Sequence, residues 1–140
     1  MTAGRIVQSD MDIKKILEQT RSIAVVGLSP KPDRASYRVA DYLQQHRYTV
    51  IPVRPAQKEI LGAKAYPSLT DIKEPIDIVD VFRRSDQMMP HVEEAIQIKA
   101  RVFWMQLGIE NAEAASLLTQ AGIDVVMDRC IKIEHDRLLS

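Results

Sequence analysis

The chain has 140 residues, 46% of them hydrophobic and 27% charged, with one cysteine and 19 basic side chains against 19 acidic ones. A chain of ~150 residues hides roughly two-thirds of its unfolded surface on folding, so a single domain spanning residues 1–140 can bury a core without disulfide or metal staples. The formal net charge of zero argues against general nucleic-acid binding, and no apolar run approaches the ~18 residues of a membrane span.

The opening Met1-Thr2-Ala3-Gly4-Arg5 carries no apolar core of signal-peptide length, and Cys130 has no partner for an internal disulfide. Both fit a reducing cytoplasm. Ser9-Asp10-Met11-Asp12 has the pattern of a capping box, and Ile13, Ile16 and Leu17 share one face of a helix that ends near Thr20. Ile23 to Gly27 is a continuous apolar run, the habit of a strand buried on both faces. A Pro-rich loop from Leu28 to Ala35 leads to a helix from about Ser36, with Val39, Ala40 and Leu43 inward.

Tyr48 to Val53 is the second strand, and Arg54 to Pro75 reads as loop with one short helical turn capped near Ser68. Ile76 to Phe82 is the third strand; Asp77 and Asp80 interrupt it, which predicts an edge position. A helix starting near Pro90 presents Val92, Ala95 and Ile96. Val102 to Met105 is the fourth strand. Asn111 caps a helix carrying Ala114, Leu117 and Leu118, and Gly122 stops it. Ile123 to Met127 is the fifth strand, and the polar remainder from Asp128 shows no clear pattern.

Strands alternating with helices predict an α/β fold: a Rossmann-like, doubly wound, five-stranded parallel sheet in the order 3-2-1-4-5, with an extra N-terminal helix. Ligands of such sheets bind at the carboxyl ends of the strands, where the winding reverses. The loops beginning at Gly27, Arg54, Arg83, Gln106 and Asp128 are therefore singled out.

The first loop joins a buried strand to a helix N-terminus, which offers unpaired N–H groups to an anion. Gly27 would allow close backbone approach, Ser29 and Ser36 would add hydroxyls, and Lys31 and Arg34 positive charge. The same residues also suit an ordinary surface loop whose Ser36 caps a helix. The three spaced glycines of a dinucleotide site are absent, as is the acid that follows its second strand. Arg54 stands there instead, suited to a phosphate such as that of NADP or the 3′-phosphate of coenzyme A, or to plain solvent. Arg83 lies in the right loop to help an anion. Gln106-Leu107-Gly108 suits a near-neutral, amide-bearing arm or a tight turn.

His46, His91 and His135 lack metal-ligand spacing, and Asp128, Cys130 and His135 supply only one thiol, so no metal is expected. Met88-Met89 and Trp104 read as packing groups. No serine elbow, phosphate loop or paired acid and base is present, and no catalytic constellation is recognised.

Three stretches carry a family resemblance: IAVVGLSPKPDRASY at 23–37 running on to VIPVRP at 50–55, ILGAKAYPSLTDIKEPIDIVDVFR at 60–83, and WMQLGIENAEAASLLTQAGIDVVMDRC at 104–130. In order and spacing they resemble the small stand-alone CoA-binding proteins of bacteria and archaea, related to the CoA-binding domain of the succinyl-CoA synthetase α subunit. The resemblance implies coenzyme A or a CoA thioester across the strand ends. Gly27, Ser29, Arg34, Ser36 and Tyr37 would then lie at the phosphates and Arg54 near the adenosine. Phe82 and Arg83 would border the nucleotide, and Gln106 and Gly108 the pantetheine arm. It departs at Arg47, where the family often has glycine. It also lacks the further domain with a phosphorylated histidine, so acyl-CoA ligation by this chain alone is not expected.

The resulting expectation is a CoA-binding carrier, sensor or regulatory module, with an unidentified protein partner allowed. The alternatives are an NADP-binding reductase-like protein and a CoA-using subunit that needs a separate partner. Cys130 follows the fifth strand at the edge where a pantetheine thiol would end. A mixed disulfide with that thiol, with Arg129 as a positive neighbour, is one expectation; a packing thiol pointing away is the other.

Overall fold

The computed structural model describes residues 3–139; Met1 and Thr2, within the opening read as free of a signal segment, and Ser140 lie outside the described residues. Five parallel strands form the sheet: β1 (Ser22–Val26), β2 (Thr49–Val53), β5 (Ile78–Val81), β6 (Val102–Met105) and β7 (Asp124–Val126). A small antiparallel pair, β3 (Glu59–Ile60) and β4 (Ala63–Lys64), stands apart from it. Helix α1 (Asp10–Gln19) precedes β1, and α2 (Ala35–Gln45), α3 (Met89–Gln97), α4 (Ala112–Gln120) and α5 (Ile131–Leu139) follow in chain order. Among the described residues no helix is long and apolar enough to cross a membrane.

The doubly wound α/β class is as expected, but the strand order is not 3-2-1-4-5. The sheet runs β2-β1-β5-β6-β7, so the third long strand pairs with β1 on the side away from β2. The edge position expected of that strand is also wrong: β5 lies between β1 and β6, and all four of its residues are buried. The two acids that suggested an edge have other roles. Asp77 precedes the strand, and its Oδ2 accepts the amides of Arg21 at 2.8 Å and Ser22 at 3.2 Å. The Asp77 amide in turn donates to Ser22 Oγ at 3.0 Å, which staples the start of β5 to the start of β1. Asp80 is fully buried without a hydrogen-bond partner, and burial pushes its carboxyl well above the usual range.

This order moves the reversal of winding. An order of 3-2-1-4-5 would place it between the first and fourth strands; here it lies between β1 and β5. The loops after Val26 and Val81 therefore stand side by side.

Strand periodicity divides the core between two faces. Val26, Val79, Val81, Phe103 and Val125 pack with α3 and α4 through Val92, Ala95, Ala115 and Leu118. Val25, Ile78, Trp104 and Val126 pack with α1, α2 and α5 through Ile13, Leu17, Val39, Leu43 and Ile131. Helix α5 had no sequence signal because two of its buried side chains, Glu134 and His135, are polar. Glu134 receives Arg129 at 2.6 Å and Arg137 at 3.1 Å, and Tyr42 meets His135 Nδ1 at 2.8 Å. Burial pushes the Glu134 carboxyl up, but the hydrogen bonds from Arg137 and Arg129 outweigh it and hold it below its usual range.

Helix ends follow one device three times. After α2, α3 and α4, a residue with positive φ donates three residues back, and the next amide donates five back. Gly122 takes that position after α4 as expected, while Arg47 (φ 74°) and Lys99 (φ 56°) take it after α2 and α3. The tight end of α2 thus forms without glycine. Residues 54–75 hold more order than expected. Leu61 and Gly62, both at positive φ, turn β3 into β4. Tyr66 then pairs with the outer edge of β2 through Pro52 and Arg54. At the other margin, Arg5 and Val7 pair with Val125 of β7.

Candidate functional site

The loop after β1 is built by its own side chains. Gly27 (φ +81°) ends the strand, its amide bonded to Val53 O at 3.0 Å, and a Cβ there would stand 2.8 Å from Phe82 O. Ser29 and Ser36 are buried. Ser36 Oγ accepts the Ser29 amide at 3.0 Å, and Ser29 Oγ accepts the Lys31 amide at 3.1 Å. Both hydroxyls hold the loop's shape. Ser36 is not the helix cap: Arg34 is the N-cap residue, and no side chain caps the helix. Helices α1 and α4, by contrast, are capped by Ser9 and Asn111 and carry an acid in the first turn. The first turn of α2 has no acid, so its N–H groups and partial positive charge face the cleft uncompensated.

That cleft is about 600 Å³. Gly27, Ser29, Ser36 and Phe82 line it with four cations, Lys31, Arg34, Arg54 and Arg83, and no acid is among its described lining residues. Arg54 extends from the end of β2, its Nη1 reaching the Leu28 carbonyl at 3.5 Å. A smaller recess of about 320 Å³ lies beside Gly27, Arg54 and Arg83, lined also by Pro55, Pro67 and His91. Burial holds the His91 imidazole below its usual value.

A second cleft of about 530 Å³ opens from the first and shares Ala35, Phe82 and Arg83 with it. Its walls are mostly apolar: Val39, Phe82, Leu107, Ile109 and Ile133. Gln106 lies in its lining yet is only 5% exposed; its Oε1 accepts the Ile131 amide at 3.2 Å and so positions the start of α5. Gly108 (φ +83°) completes the turn, donating to Asp128 Oδ1 at 2.7 Å. Cys130, half-buried, stands in the same wall.

Gly27, Ser29, Arg34, Ser36, Arg54, Phe82 and Arg83 therefore meet in the first cleft, and Phe82, Arg83, Gln106 and Gly108 in the second. Tyr37 lines none of the three hollows and packs half-buried against the α1–α2–α5 core. Arg129, the positive neighbour expected for Cys130, pairs with Glu134 and donates to Gln8 O at 3.0 Å. Ile133 was missed because it sits on α5. Gln57 was missed because the segment after β2 read as plain loop.

Residues 21–136 match the family model described as a CoA binding domain. An uncharacterized protein of Bacillus subtilis, YneT, is 49% identical over 127 residues, covering 91% of this chain and 94% of its own. A hypothetical protein from Pyrococcus horikoshii has a solved structure of the same shape, with a TM-score of 0.92, 42% identity and both chains covered in full. An ADP-forming acetate–CoA ligase of Archaeoglobus fulgidus is 28% identical over 121 residues; these are 78% of this chain but 17% of the ligase.

Proposed function

The chain belongs to the CoA-binding domain family, and from that premise we propose that it is a single-domain holder of coenzyme A or a CoA thioester, acting as a carrier, sensor or regulatory module. The observation that carries this reading is the continuity of a cation-lined cleft with an apolar one at the β1/β5 reversal. Coenzyme A has the same polarity, with phosphates at one end and an uncharged arm ending in a thiol at the other. Its diphosphate would meet the first turn of α2, Lys31 and Arg34, and its 3′-phosphate Arg54. The pantetheine arm would pass Phe82 and Arg83 towards Gln106 and Gly108. A cytoplasmic setting is part of the proposal and rests on the single cysteine.

The test is mass spectrometry of ligand released from the purified protein, followed by calorimetry with CoA and NADP. Released CoA, and binding of CoA but not NADP, is expected. Binding of NADP alone would overturn the reading in favour of a reductase-like protein. The match of this chain to one part of the archaeal ligase favours one compatible setting, in which a partner uses the CoA held here. Co-purification from the native cell tests that setting.

A further inference from the structure

We infer that Cys130 is a thiol–disulfide exchange site whose substrate class is the disulfide of a pantetheine thiol. The inference rests on the CoA-binding reading and adds covalent chemistry to it. Two features of the second cleft carry it. Cys130 is the chain's single cysteine and lies in the cleft wall. Gln106, in the same wall, is more than nine-tenths buried, and its amide NH₂ has no acceptor among the described residues. With Oε1 fixed on the Ile131 amide, that NH₂ is left as a donor for a ligand amide or carbonyl.

The backbone around Cys130 is held on both sides. Trp104 Nε1 donates to Arg129 O at 2.7 Å, Gln106 takes the Ile131 amide, and the Glu134 amide donates to Cys130 O at 3.0 Å. Cys130 thereby sits on a held backbone in the wall of a mostly apolar hollow that adjoins the cationic cleft, and it also packs against the α1–α2–α5 core. A disulfide bearing an uncharged arm and a distant phosphate group fits both hollows at once.

In the exchange, the Cys130 thiol loses its proton and its sulfur attacks one sulfur of the disulfide. The disulfide's S–S bond breaks and a Cys130–S–S–CoA bond forms; the second CoA leaves as a thiolate and takes up the proton. The cysteine sulfur is oxidised and the departing sulfur reduced, with no other oxidant. Since the chain has no second cysteine to resolve the adduct, the bond persists until an outside thiol attacks it.

The test uses CoA disulfide and, as a comparison, glutathione disulfide, with intact-mass spectrometry of the native protein. A single CoA adduct is expected that dithiothreitol removes and that Cys130→Ser lacks. It should form at least tenfold faster than the glutathione adduct, and the preference should vanish in denaturant. Gln106→Glu, which keeps the acceptor for Ile131 but loses the NH₂, should slow the reaction with CoA disulfide severalfold more than that with glutathione disulfide, and equal slowing of the two would overturn the role of the NH₂. No adduct on the native fold, or equal rates for the two disulfides, overturns the inference. Titrating Cys130→Ser with reduced CoA separates the two claims. Binding there with no adduct on the unsubstituted chain defeats the exchange alone, whereas no binding defeats the CoA reading as well.

Discussion

A Cβ placed on Gly27 would lie 2.8 Å from the carbonyl oxygen of Phe82, closer than such atoms approach without something shifting. The two residues end neighbouring strands, so the contact that forbids a side chain is also the one that sets the two loops of the cleft against each other. Gly27 is required by the fold before any ligand arrives. Gly27→Ala should lower stability by about 1–2 kcal/mol for its positive φ alone, with the clash in addition. Gly27→Val should cost more and lose ligand binding through the fold. Urea denaturation checks this; an unchanged midpoint for either variant would refute it.

Arg54 should let the protein tell CoA from dephospho-CoA. A charge-assisted bond to the 3′-phosphate is worth roughly 1.5–3 kcal/mol, or about tenfold to a hundredfold in affinity. Calorimetry should find CoA the tighter ligand for the unsubstituted chain. With Arg54→Ala the two affinities should converge, by weakening of CoA and not by gain for dephospho-CoA. Equal affinities in the unsubstituted chain would remove Arg54 from the site.

Arg47 occupies the left-handed position that closes α2, where a side chain is penalised. Arg47→Gly should therefore stabilise the protein by about 1 kcal/mol, and Lys99→Gly, at the matching position after α3, should do likewise. Thermal and urea midpoints would both rise. A fall in both variants would show that these residues make contacts worth more than the strain.

Asp80 gives a pH signature of definite sign. Its folded-state value lies well above the 3.8 of a free side chain, so the folded chain keeps a proton that the unfolded chain releases above about pH 4. Its favourable contribution is complete below that pH and is lost as pH rises towards the folded value. Asp80→Asn cannot titrate. The stability of this variant relative to the unsubstituted chain should grow as pH rises above about 4, by up to about 1.4 kcal/mol per unit until the folded-state value is passed. A difference that stays flat with pH would mean that Asp80 is ionised in the fold.

The alternation of apolar runs with helical periods made the class of fold legible, and the strand ends then named the loops of the cleft. Strand order was not legible. Asp77 and Asp80 resembled edge residues because nothing local explains them: one is satisfied by amides some 55 residues away, and the other is fully buried with its carboxyl pushed up by that burial. Helix α5 was hidden for a related reason. Glu134 and His135 break the apolar stripe, and only Arg129, Arg137 and Tyr42, brought in by the fold, make their burial tolerable. With α5 unread, Ile133 and the apolar wall of the second cleft were unread too. Tyr37 was carried over by resemblance into the phosphate loop, but its place on α2 turns it to the core.

The short pairings at the two margins of the sheet bear on how the protein behaves in a crowded solution. Tyr66 occupies the outer side of β2, and Arg5 and Val7 that of β7, so both marginal strands already have backbone partners. Another chain seeking to add a strand finds those bonds taken. Removing residues 3–8 would uncover the β7 margin and create a template for edge-to-edge self-association. Residues 3–8 would thus guard this margin against aggregation, and none of them lines the three hollows at the strand ends.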